Sequence, residues 1–173
     1  MSNKIKDMPF IEKIKLAQND NTPADVLREL AKDDYKIRRE VAMNPNTPED
    51  ILREYAIEDK DDIRQGTAYN PNTPLDVLRD LAKDVNSDIR WEVSNNYSTP
   101  ENILGDLAKD AYWEIRASVA KHPNSSSKIL VMLLDQEKNL SKPDLDVIDA
   151  LEDNPKLPYI AKVIIETLFG DML

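Results

Sequence analysis

The chain has 173 residues, 40% of them hydrophobic, and carries 33 acidic against 23 basic side chains, a formal charge of −10. That balance repels polyanions, which makes nucleic acid and anionic membrane surfaces poor partners, and the absence of cysteine excludes disulfides, thiolate zinc sites and Cys-ligated iron–sulfur clusters. Lys4, Lys6 and Asp7 are followed by no signal-peptide-like apolar run, and no stretch approaches the roughly 20 apolar residues of a membrane span, so the expectation is a soluble cytoplasmic protein.

Residues 1–22 read as an N-terminal capping half-repeat. Leu16 and Ala17 occupy positions that the next unit fills with Val41 and Ala42, and Met8, Phe10 and Ile11 are expected to cover the open end. Residues 23–134 then repeat themselves: Pro48, Pro74 and Pro100 stand 26 apart, and so do Ile63, Ile89 and Ile115. A fixed period of this size marks stacked supersecondary units, so residues 1–173 read as a single helical-repeat domain.

Each unit opens on a Thr-Pro pair followed by an acid or its near equivalent: Thr22, Pro23 and Asp25; Thr47, Pro48 and Asp50; Thr73, Pro74 and Asp76; Thr99, Pro100 and Asn102. Threonine can accept the orphan N–H groups of a first turn, proline fits the first helical position, and an acid suits the positive end. A helix A is therefore expected here, burying Val26, Leu27, Leu30 and Ala31 and their counterparts up to Ile103, Leu104, Leu107 and Ala108. Arg28, Arg53 and Arg79 lie off this face, three residues after Asp25, Asp50 and Asp76, and are expected to pair with them on the surface.

A second helix, B, starts near Ile37, Ile63, Ile89 and Ile115 and ends at Asn44 and Asn70, because a residue before proline is pushed out of the α region. Only about two turns fit, too few for the long helix pairs of a tetratricopeptide or HEAT repeat, and 3₁₀ geometry is open. After Val119 the register loosens. Residues 135–173 read as a degenerate repeat and C-terminal cap: Lys138 to Asp144 is an inserted connection, and Val147, Leu151, Asn154 and Pro158 recover the frame. The last segment carries Ile160, Val163, Ile164, Ile165, Leu168, Phe169 and Met172 almost all round a helix, which either folds inward or makes a homodimer contact.

The series Ile37, Arg38, Val41, Ala42, Asn44, Pro45, Asn46, Thr47, Pro48, with its copies, resembles the leucine-rich repeat variant family, a HEAT-like helical repeat array. The resemblance covers about Glu12 to Leu134, with echoes to Pro158. It implies an all-α fold, a right-handed α-solenoid of two-helix repeats in which α-helices alternate with short 3₁₀-like ones. A founding member of that family carries a cysteine-ligated 4Fe-4S cluster; with no cysteine here, no cofactor is expected. The family implies no shared catalytic motif.

Arg38, Arg64, Arg90 and Arg116 fall at the seam of helix B, each a few residues after an acid, Asp33, Glu58, Asp84 or Asp110. Because a charge carried into a core needs a partner, a structural arginine–carboxylate ladder is expected rather than a phosphate-binding stripe. Asn19, Asn44, Asn70, Asn96 and Asn154, with His122 substituting once, are expected to staple their own turns. The cluster from Glu58 to Asp62 lacks the glycine and spacing of a calcium loop, and no phosphate loop, nucleophile elbow or metal-ligand spacing is present. No catalytic or metal site is expected.

The informative positions are those at which the repeats disagree. On the outward side of helix B stand Arg39 and Met43, Gln65 and Tyr69, Trp91 and Asn95, then Ala117 and Lys121. Trp91 near Tyr69, edged by Arg39, has the composition of an interface anchor, unless Trp91 lies across a neighbouring helix. Tyr112 and Trp113 form a second candidate patch. The leading expectation is a non-catalytic scaffold that binds a protein or peptide through Arg39, Met43, Gln65, Tyr69, Trp91 and Asn95. Two alternatives are a nucleic-acid-acting helical-repeat protein of the DNA glycosylase type, which needs a basic groove, and a homo-oligomeric structural subunit built through the final helix.

Overall fold

The computed structural model describes residues 5–170, and among them every regular element is helical. The chain forms two compact units, one ending at Ser98 and the other beginning at Thr99. The first holds α1 (Phe10–Ala17), α2 (Ala24–Leu30), α3 (Tyr35–Met43), α4 (Glu49–Tyr55), α5 (Asp61–Tyr69), α6 (Leu75–Leu81) and α7 (Ser87–Asn95). The second holds α8 (Glu101–Leu107), α9 (Trp113–Lys121), α10 (Ser127–Lys138), α11 (Leu145–Asp153) and α12 (Tyr159–Phe169). Within the first unit α1 packs on α3, α3 on α5 and α5 on α7, and within the second α9 packs on α11. Each unit is thus a file of helix pairs whose second helices lean on one another.

Helices A and B stand where the 26-residue frame puts them, with one difference in kind. Helix B is α-helical over nine residues in α3, α5, α7 and α9, longer than the seven residues of α2, α4, α6 and α8. It gains length by starting two residues before its isoleucine, and Asp34 and Asn86 cap two of these starts by accepting from Lys36 N and Asp88 N. It ends as the sequence dictates: Asn44 (φ −70°, ψ 127°) and Asn70 (φ −62°, ψ 125°) are extended ahead of their prolines.

The threonine caps expected for helix A are not made. Proline occupies the cap position of α2, α4, α6 and α8, with no side-chain cap bond. The preceding hydroxyl turns back into helix B instead: Thr22 Oγ1 donates to Leu16 O at 2.6 Å, Thr73 Oγ1 to Thr67 O at 2.6 Å and Ser125 Oγ to Val119 O at 2.6 Å, and Thr47 donates likewise to Val41 O. Each of these carbonyls also accepts from the backbone N–H three residues on, as Asn44 N does to Val41 O at 3.0 Å and Asn70 N to Thr67 O at 3.2 Å, so the hydroxyl fills the second lone pair of a carbonyl in the last turn of helix B.

The core of the first unit gathers Leu27, Leu30, Ile37, Val41, Tyr55 and Ile63, and that of the second Leu130, Leu133, Val147, Ile148 and Leu151. Tyr55 stands where the other repeats have leucine, and its hydroxyl reaches Ala31 O at 3.2 Å. At the N-terminal end Phe10 and Ile11 are exposed rather than covering, and Ile5, Lys13 and Ala17 are the buried residues there. In α12 a single stripe, Ala161, Ile165 and Phe169, is buried while Tyr159, Ile160 and Leu168 face outward; Met172 lies outside the described residues.

Candidate functional site

Two ladders fix how the second helices stack. Asn70 Nδ2 donates to Ala42 O and Asn44 O, both at 2.7 Å, while its Oδ1 accepts from Asn72 N at 2.9 Å. Asn44 and Asn96 repeat the pattern one step earlier and later. The expected stapling of the turn is present, and the amide also ties each turn to the one before it. His122 makes the local half of this pattern, its Nδ1 accepting from Asn124 N at 3.0 Å.

The arginine ladder pairs forward. Arg64 Nε meets Asp84 at 2.7 Å and Arg38 meets Glu58, each an acid 20 residues later, in the following repeat. For three of the arginines the preceding acid contributes its backbone: Arg64 Nη1 to Glu58 O at 2.6 Å, Arg90 Nη1 to Asp84 O at 2.8 Å and Arg116 Nη1 to Asp110 O at 3.0 Å. Lys13 fills the same place one unit earlier, with Nζ 2.6 Å from Asp33, and holds that carboxyl below the usual range. On helix A the expected pairing three residues back is replaced by pairing across repeats: Arg28 binds Asp50 and Arg53 binds Asp76, because stacking sets each arginine beside the next helix A. Within α4, Arg53 also meets Glu49.

This stacking brings α3, α5 and α7 side by side and opens one groove across them, with a volume of about 600 Å³. Arg39, Met43, Gln65, Tyr69, Trp91 and Asn95 all line it. Trp91 is 41% exposed and Tyr69 54%, so Trp91 does not disappear beneath a neighbour. Asn95 Nδ2 is turned back to Trp91 O at 2.9 Å. Ala117, the next residue in the series, is buried, because α11 packs closely on α9. Tyr112 and Trp113 are exposed at the start of α9.

Gly66, Pro71, Glu92, Asn96 and Tyr97 complete the lining, and Gly66, Glu92 and Tyr97 are not among the outward positions at which the repeats disagree. Gly66 belongs to the position filled by Glu40 in α3 and Glu92 in α7; a Cβ there would lie 3.1 Å from Ala42 Cβ and 3.2 Å from Arg39 O. The glycine thus lets α5 approach α3 and leaves a gap in an otherwise acidic row. Glu92 lines the groove and accepts from Gln65 Nε2 at 2.9 Å. Burial pushes its carboxyl above the ordinary carboxylate value; the Gln65 bond opposes the rise, Asp88 adds to it, and Arg39 opposes it. Tyr97, beyond the end of α7, adds a third aromatic ring to the lining. Glycine in a repeat position was the readable signal for the gap, but nothing local marks Glu92 or Tyr97.

Among the described residues no group of His, Cys, Asp or Glu is placed to hold a metal ion, and no helix is long and apolar enough to cross a membrane. No family model and no curated protein matches the sequence. A solved structure described as a leucine-rich repeat variant with a novel repetitive protein structural motif is similar at 22% identity, over 88% of this chain and 60% of that one, with a TM-score of 0.62. This chain therefore spans about three-fifths of that protein's length. What the two have in common is the fold: this chain is built as an array of helical repeats of the leucine-rich repeat variant kind.

Proposed function

We propose that this protein is a non-catalytic cytoplasmic scaffold that binds a protein or peptide partner in the groove across α3, α5 and α7. The observation that carries the reading is the convergence of the six positions at which the repeats differ on one concavity with Trp91 and Tyr69 exposed in it. In an array whose shared positions are occupied by core and ladder residues, the unshared outward positions are free to specialise. Exposed tryptophan and tyrosine in a concave setting are the usual anchors of an interface. The test compares pull-downs by the intact chain and by the Trp91→Ala/Tyr69→Ala variant. Loss of the captured partner with unchanged helicity supports the groove, and equal capture removes it.

Duplex binding is disfavoured, because the groove has one basic side chain, Arg39, against Glu92, on a chain of charge −10. A second contact has its own observation, the outward apolar residues Tyr159, Ile160 and Leu168 of α12, and the reading is a homodimer through that helix. Ile160→Lys should then convert a dimer to a monomer by light scattering; a mass that does not respond to the substitution removes this reading.

A further inference from the structure

We propose that the groove takes a cationic side chain, an arginine or lysine presented by a basic segment of the partner, seated on Trp91 and Tyr69 and paired with Glu92. The inference deepens the peptide-binding reading and rests on it. Three rings, Tyr69, Trp91 and Tyr97, share the groove, and an aromatic face attracts a cation through its quadrupole, tryptophan most strongly. The same lining contains a carboxylate whose place is fixed, since Gln65 holds Glu92 at 2.9 Å.

The groove's own cation does not occupy that role. Arg39 Nη1 bonds Glu40 Oε1 at 3.0 Å, and Glu40 also accepts from Gln18 at 3.0 Å. Gly66, between the Glu40 and Glu92 positions, carries no side chain and lets α5 close on α3, so the row offers no second carboxylate between them. Glu92 is half-withdrawn from water, and its raised carboxyl agrees with a charge that lacks a full counter-charge. The −10 charge of the chain draws basic segments and repels acidic ones. A groove of about 600 Å³ is also ample for several peptide side chains.

The test uses two fluorescein-labelled peptides of one Gly-Ser background, the first carrying three arginines and the second three citrullines, which keep the shape and lose the charge. Anisotropy is read at physiological ionic strength with the full chain. The arginine peptide is expected to bind about tenfold more tightly than the citrulline peptide. Trp91→Ala and Tyr69→Ala should each weaken it by roughly threefold to thirtyfold, and Glu92→Gln should bring it down to the citrulline level. Asp106→Asn, which removes one exposed carboxylate from the other unit, should change nothing.

The failures separate. Equal binding of both peptides, lost on Trp91→Ala, retains the groove and overturns the cation. Arginine binding that ignores Trp91→Ala and Glu92→Gln but matches the response to Asp106→Asn is general attraction to an acidic chain, and it too overturns the inference. No binding of the arginine peptide up to about 1 mM does the same, while the groove itself still stands or falls by the pull-down.

Discussion

The two units use the same ladder position under different conditions. In the first, Arg64 is partly buried, pairing with Asp84 inside the seam and with the exposed Asp61 at its edge, and Arg38 binds Glu58 while its buried Nε has no hydrogen-bond partner among the described residues. In the second, Arg116 is 4% exposed and Glu137 is fully buried. There every guanidinium nitrogen has a partner: Nε meets Glu137 at 2.8 Å, Nη2 meets Asp144 at 2.6 Å, and Nη1 meets Asp110 O and Ala111 O. The cause is an insertion. Helix α10 runs for 12 residues instead of seven, and the connection after it folds back so that Asp144 N donates to Glu137 Oε2 at 3.0 Å. A repeat array accepts extra residues where a pre-existing ladder charge can be enclosed by them.

The grooves differ as well. The first unit's concavity crosses second helices and is lined by three aromatic rings, whereas the second unit's, of about 720 Å³, is lined by Pro100, Gly105, Ile129, Met132 and charged residues with no ring. Regular stacking gathers exposed aromatic rings in one groove; the interrupted unit encloses a buried charge pair.

The largest effect that can break this comparison is at Arg116. Arg116→Ala strands the buried Glu137 carboxylate and should cost about 3–5 kcal/mol, read as a loss in urea midpoint of the second unit's transition. The paired change Arg116→Met/Glu137→Leu should restore most of that loss. If Arg64→Ala in the first unit costs as much, the contrast between the units is wrong.

Asn70→Ala comes next. It removes the amide that pairs two buried carbonyls and should destabilise by about 2–4 kcal/mol, measurable in the same melts. A loss under about 1 kcal/mol would mean that helix packing, not the turn ladder, holds neighbouring repeats together.

Gly66→Ala sharpens the account of the groove. The helix would gain roughly 1 kcal/mol from the better helix former, but the Cβ meets the Arg39 carbonyl oxygen, which cannot step aside, so a net loss of about 1 kcal/mol is expected. Unchanged or increased stability would show that α3 and α5 can move apart freely.

The smallest effects lie in pH. Lys13 lowers the Asp33 carboxyl, so their pairing stabilises the fold above the unfolded carboxylate value and is lost as the pH falls through the depressed folded value. Lys13→Ala should therefore flatten the acid limb of the stability curve. Glu92 has the opposite sign: its raised carboxyl stabilises the fold when protonated, and that contribution disappears as the pH rises through its elevated value. Glu92→Gln should abolish this second slope, and a slope that persists assigns it elsewhere.

Much of the fold is legible in the sequence. Pro48, Pro74 and Pro100 mark the helix A starts, Asn44 and Asn70 the helix B ends, and the apolar periodicity picks out Leu27, Leu52, Leu78 and Leu104, all fully buried. The outward positions Arg39 to Asn95 were legible as a set for the same reason: in a stack of equal units, one wheel position becomes one row. The partners of polar groups were not legible. Asp50 is 22 residues from Arg28 and Asp25 is three, and spacing along the chain favours the nearer acid. Thr47 before Pro48 carries a helix-start pattern, yet its hydroxyl serves the helix that has just ended. Glu92 and Tyr97 belong to the groove only because α5 and α7 pack as they do.

Repeat length, helical class and the inward face follow from local sequence, because backbone sterics at proline and hydrophobic periodicity act within a few residues of one another. Packing between repeats sets which acid answers which arginine, that Arg116 is enclosed more completely than Arg64, and that α5 closes on α3 at Gly66 beside the groove. Those outcomes depend on how close one repeat stands to the next, and that distance is set by packing between segments far apart in the chain.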